Sequence, residues 1–139
     1  MTASTSFRIS ATAKAALGRR AETEGMSATA LLERLIVEGV RMLDHPGIIY
    51  RGPDRDRRAA LSAGPDVWEV VSRLRELDGS EEQRILMLSD ESGLHPRLIR
   101  VALDYAAEYA DEIRTRIARN EEAIERSRRA VQRREALLA

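Results

Sequence analysis

The run Thr5-Ser6-Phe7-Arg8-Ile9-Ser10 alternates polar and apolar residues as one short strand does, and no second strand follows it directly. A single strand leaves its backbone N–H and C=O groups unpaired and is not stable alone. The natural partner is therefore the same strand of a second copy. Antiparallel pairing of the two copies puts Phe7 and Ile9 on the inner face and Ser6 and Arg8 on the outer face of a two-stranded ribbon. Such a ribbon fits the major groove of DNA. This stretch commits the chain to a homodimer before any other residue is considered.

Two helical patterns follow. Ser10 is placed to cap the first, which carries Ala16, Leu17, Ala21 and Glu24 and stops at Gly25. Ser27 is placed to cap the second, whose apolar stripe is Leu31, Leu32, Leu35, Ile36, Gly39, Val40 and Leu43. The expected dimer core is Phe7, Ile9, Leu31, Leu35 and Ile36. At the start of the second helix, Ser27, Ala28 and Thr29 offer free backbone N–H groups at the positive end of the helix dipole, a seat for a DNA phosphate.

With Ser6-Phe7-Arg8-Ile9-Ser10, Ala21 before Gly25, and Ser27 opening a second amphipathic helix, the chain resembles the ribbon-helix-helix family and its VapB-type antitoxins. The resemblance implies an intertwined dimer whose ribbon reads base edges through Ser4, Ser6 and Arg8, while the second-helix N-termini hold the backbone of double-stranded operator DNA.

Charge divides the rest. The net charge is zero, yet residues 1–43 carry +2, 44–65 carry +1, 66–113 carry −7 and 114–139 carry +4. Such asymmetry argues for separate tasks along the chain. The expected organisation is accordingly a DNA-binding and dimerisation segment (1–43), a linker or β-hairpin (44–65), an acidic helical domain (66–113) and an arginine-rich helix or tail (114–139). There are no cysteines, which excludes disulfides and thiolate metal sites. No apolar run is long enough for a membrane span and no signal pattern opens the chain, so the expectation is a cytoplasmic protein that does not engage a membrane.

His45-Pro46-Gly47 marks a turn, and Ile48-Ile49-Tyr50-Arg51 with Arg58-Ala59-Ala60-Leu61 predicts a small hairpin around a charged loop. Arg51, Arg55, Arg57 and Arg58 stand among Asp54 and Asp56, the composition of a solvated loop. From Pro65 onward three helices are predicted. The first buries Val67, Trp68, Val70, Val71, Leu74 and Leu77 and ends at Gly79. The second is capped by Ser80, with a loop from Ser89 to Gly93. The third begins near His95-Pro96 and buries Leu98, Ile99, Ala102, Leu103, Ala106 and Ile113. A helix-turn-helix using Pro96, Arg97 and Arg100 is disfavoured, because a segment at −7 repels phosphates.

Gly64-Pro65-Asp66-Val67-Trp68, the Leu77-Asp78-Gly79 turn and the run Ile99-Arg100-Val101-Ala102-Leu103-Asp104-Tyr105-Ala106-Ala107-Glu108-Tyr109-Ala110-Asp111-Glu112-Ile113 resemble the small helical antitoxin domain catalogued as domain-of-unknown-function family four-three-three. The chain departs from the usual pattern at Asp66-Val67-Trp68, where that family has a small-polar and basic opening.

No Gly or Pro occurs after Ile113, so the third helix is expected to run on as a rod. Leu103, Ala110, Ile117, Ile124, Val131 and Leu138 recur every seven residues. One apolar file is too narrow for a self-zipper and suits a helix laid in another protein's groove, flanked by Arg116, Arg119, Arg126, Arg128, Arg129 and Arg133. The expected toxin-binding residues are Ile117, Arg119, Ile124, Arg128 and Val131; a mobile basic tail and contact with flanking DNA are the other readings.

No phosphate loop, nucleophile elbow or metal-ligand spacing is present, so neither an enzyme nor a bound cofactor or metal is expected. The fold class expected is mainly α: an intertwined ribbon-helix-helix dimer, a small hairpin, then a three-helix domain with a long last helix. The function implied by the resemblances is a type II antitoxin that represses its own operon and blocks a toxin, a PIN-like ribonuclease. The alternatives are a stand-alone ribbon-helix-helix regulator and a DNA-organising protein.

Overall fold

A computed structural model describes residues 3–139 and divides the chain into two compact units, Met1–Asp44 and His45–Ala139. Among the described residues the fold is mainly helical, with six α-helices and one two-stranded antiparallel sheet. No helix is long and apolar enough to cross a membrane.

The first unit is a helical hairpin preceded by an irregular arm. Helix α1, Ala11–Glu24, starts where the Ser10 hydroxyl accepts a hydrogen bond from the Ala13 N–H at 3.1 Å. It ends at Gly25, whose φ of 66° is left-handed and lets its N–H and that of Met26 close the last carbonyls. Helix α2, Ala28–Asp44, starts with the Ser27 hydroxyl accepting from Ala30 N–H at 3.1 Å. Glu24 and Arg34 pair at 2.8 Å across the two helices, both largely covered, and Ala21 and Leu31 are the buried apolar contacts.

In the second unit, β1 (Ile48–Arg51) pairs with β2 (Arg58–Leu61) in the register Ile48↔Leu61 to Arg51↔Arg58, with a single 3-10 turn, Asp54–Asp56, between them. The turn requires Gly52: its φ is 101°, and a Cβ there would run into the Asp56 carbonyl. Helix α3, Val67–Glu76, opens at Asp66, whose N–H donates to the Glu69 carboxylate at 3.2 Å. Helix α4, Glu81–Ser92, opens with a reciprocal Ser80–Gln83 capping box. Helix α5, Pro96–Glu108, is capped by His95 and has Pro96 at its first position. Helix α6 is Ala110–Leu138.

One core joins the hairpin and all four helices. Ile48, Leu61, Val67, Val70, Ile85, Ile99, Ala102 and Tyr105 are its buried centre, and Trp68, predicted to be buried, is only partly so and packs on its margin. The expected boundaries at 65 and 113 are therefore not boundaries between units. Asp66, also buried, accepts from Arg58 Nε at 2.7 Å and from the Trp68 indole N–H at 3.2 Å, which ties β2 to the start of α3.

Three further expectations are corrected. The second predicted helix does not give way to a loop at Ser89; it continues to Ser92 and is closed by Gly93 at φ 77°. The third does not run unbroken into the rod, because Tyr109, at φ −114° and ψ 47°, lies outside helical geometry and separates α5 from α6. Neither Gly nor Pro causes that break. Tyr109 sits in an aromatic cluster with Tyr105 at 4.7 Å and His45 at 5.9 Å, so tertiary packing sets the turn. Finally, Ile117 is 2% exposed and belongs to the core.

Candidate nucleic-acid interface

Residues 3–10 carry every expected base-reading side chain, Ser4, Ser6 and Arg8, and all are exposed. Within one chain the arm forms no strand, as a strand without a partner cannot. Phe7 is 79% exposed and Ile9 is also open to solvent. Two such side chains in water are unfavourable by about 1.5–3 kcal/mol each relative to full burial.

A depression of about 600 Å³ lies in this unit, and its lining brings Phe7, Arg8 and Ile9 of the arm together with Lys14 of α1 and with Ala28, Thr29 and Leu32 of α2. An expected base-reading arginine and two of the three expected phosphate contacts thus share one concavity. Its only charged side chains, Arg8 and Lys14, are cationic. Ser27 bounds the same helix start, but its hydroxyl is already committed to the Ala30 N–H. The backbone N–H groups of Ala28 and Thr29 fall in the first turn, where no intrahelical acceptor exists.

The expected dimer core separates into two sets. Leu31 is 1% exposed and is covered by its own chain, so it needs no second copy. Leu35 and Ile36 are about half exposed, and with Leu32, Val40 and Leu43, also exposed, they form a face along α2. Helical spacing alone did not tell these sets apart, because Leu31 and Leu32 are adjacent and only the position of α1 decides which is covered. These residues make the face apolar along the length of the helix.

The expected toxin-binding residues of α6 do not form one surface. Ile117 is turned into the core. Arg119 lies roughly 140° around the helix from Ile124 at about 100° per residue, on the side that faces the hairpin. Ile124 (53% exposed), Arg128 and Val131 remain on a common, exposed face.

Tyr105 is not among the residues that the helical pattern predicts to be buried. It is fully buried, with its hydroxyl 2.8 Å from that of Tyr50 and donating to Glu112 at 3.2 Å, while Glu108 pairs with His45 at 2.6 Å. Nothing in the local pattern marked this convergence of β1, α5 and α6. Among the described residues no group of three or more His, Cys, Asp or Glu side chains is placed to hold a metal ion. Searches with protein-family models, against curated proteins and against solved structures found no match to the chain.

Proposed function

We propose that the chain is a DNA-binding antitoxin: two copies pair through their first units to form a ribbon-helix-helix dimer on double-stranded operator DNA, and the second unit carries the surface that takes a toxin. The observation that carries the DNA-binding half is the joint placement of Phe7, Arg8 and Ile9 with Ala28 and Thr29 around one largely apolar depression whose two charged side chains are cations, beside an apolar face of α2 that a single chain leaves open. Pairing of two arms would bury Phe7 and Ile9 and display Ser4, Ser6 and Arg8 to base edges, with the α2 N-termini on the flanking phosphates.

Arg8→Ala tests this reading on the DNA upstream of the chain's own coding region. A base-contacting arginine is worth about 1–3 kcal/mol, so binding falls by about five- to 150-fold at fixed salt. Unchanged affinity and an unchanged salt slope in an electrophoretic or fluorescence-anisotropy titration would remove Arg8 from the interface.

The toxin-binding half rests on α6 beyond Ala118, which leaves the core and presents Ile124, Arg128 and Val131 along a helix that runs on for about 30 Å. Its proposed partner, a PIN-like ribonuclease with an acidic metal-binding centre, follows from the resemblance to antitoxins. Deleting residues 120–139 spares Ile117 and hence the core. It is expected to abolish co-purification with the product of the adjacent gene while DNA binding persists. Retained co-purification places the toxin contact elsewhere, and a full-length chain that binds no neighbouring product points instead to a stand-alone regulator.

A further inference from the structure

The hairpin arginines and those of α6, about 60 residues apart in sequence, meet in the second unit. A pocket of about 300 Å³ opens there, with Arg57, Trp68, Ile113, Thr115, Arg116 and Arg119 around it. From this convergence we propose a binding site for a small phosphate monoester that carries a planar ring, a mononucleotide in size and chemistry. The site is separate from the DNA-binding and toxin-binding surfaces and does not depend on the antitoxin reading.

The commitments of the charged groups decide what the pocket offers. Arg58, also in its wall, is held by Asp66 at 2.7 Å and Asp56 at 2.8 Å. Arg116 bonds Asp56 at 2.6 Å through one terminal nitrogen, and this bond together with the nearby Arg58 holds the Asp56 carboxyl below the usual carboxylate range. The two acids that line the pocket direct their carboxylates to other partners: Asp111 to Arg114 at 3.5 Å, fully exposed, and Glu112 to the Tyr105 hydroxyl. The Arg119 guanidinium and the Thr115 hydroxyl have no hydrogen bond or ion pair among the described residues. They lie four residues apart on one face of α6. The uncommitted donors are thus an arginine fork and a hydroxyl, and a guanidinium that spends one N–H on Asp56 still has others to give. This donor set matches the oxygens of a phosphate monoester.

Trp68, Ala59 and Ile113 give the lining an apolar part, and an indole is a surface on which a planar base stacks. About 300 Å³ is at the lower end of small-ligand sites. An extended nucleic-acid strand suits it less: it would be repelled at successive phosphates by the −7 segment 66–113, whereas a single ester meets that field once.

Trp68 is the only tryptophan, so its emission in the full-length protein reports this pocket directly. Titration with adenosine monophosphate, corrected for absorbance and repeated by calorimetry, is expected to give saturable quenching, with inorganic phosphate and adenosine each binding more weakly. Arg119→Ala, at an exposed position that leaves the thermal unfolding unchanged, weakens adenosine monophosphate binding about tenfold. Arg119→Lys recovers part of it, and Arg133→Ala has no effect. The proposal is overturned by an absence of saturable binding at millimolar adenosine monophosphate, or by equal affinity in Arg119→Ala. It is overturned equally by a single-stranded oligonucleotide that binds more tightly than the mononucleotide and displaces it, which would reassign the pocket to a nucleic-acid strand.

Discussion

Replacing Leu35 and Ile36 together by glutamate is expected to abolish the proposed dimer in sedimentation experiments and, with it, the proposed operator binding. Both side chains are about half exposed in one chain and lie on the apolar face of α2 proposed as the dimer core. Two carboxylates closed into an apolar interface without partners cost several kcal/mol each, enough to shift the dimerisation equilibrium by many thousandfold. Trp68 belongs to the second unit, so its fluorescence shows that this unit stays folded whatever happens to the first. A double variant that keeps the wild-type mass and DNA affinity would show that this face of α2 is not where copies meet.

The second large effect separates two isoleucines that the sequence presents as equals. Ile117→Ala is expected to lower the stability of the second unit by about 2–5 kcal/mol in urea unfolding followed by Trp68 emission, as for other large-to-small changes in a closed core. Ile124→Ala, at a half-exposed position of the same helix, is expected to change it by no more than about 0.5 kcal/mol. Equal losses would mean that the distal part of α6 is also packed. Ile124→Asp, in turn, is expected to weaken the proposed toxin contact without unfolding the unit.

Local signals were legible where a single residue type has one physical use. Ser10, Ser27 and Ser80 cap the helices they were expected to cap, Gly25 ends the first helix in left-handed backbone, and the hairpin strands fall on Ile48–Arg51 and Arg58–Leu61. Each depends on neighbours within a few residues. The Tyr109 break, the buried Tyr105 hydroxyl and the meeting of Arg57 with Arg119 were not legible, because each depends on residues tens of positions apart in the chain.

By itself the sequence determined a mainly helical chain with capped helices and one hairpin, since these follow from backbone hydrogen bonding and the period of the apolar residues. Tertiary structure decided which members of each apolar stripe are spent inside one chain. Leu31 faces α1 while Leu35 and Ile36 face outward, and Ile117 closes the core while Ile124 and Val131 stay open. The reason is physical: periodicity places side chains on a face, but only the element packed across from that face determines whether water reaches them.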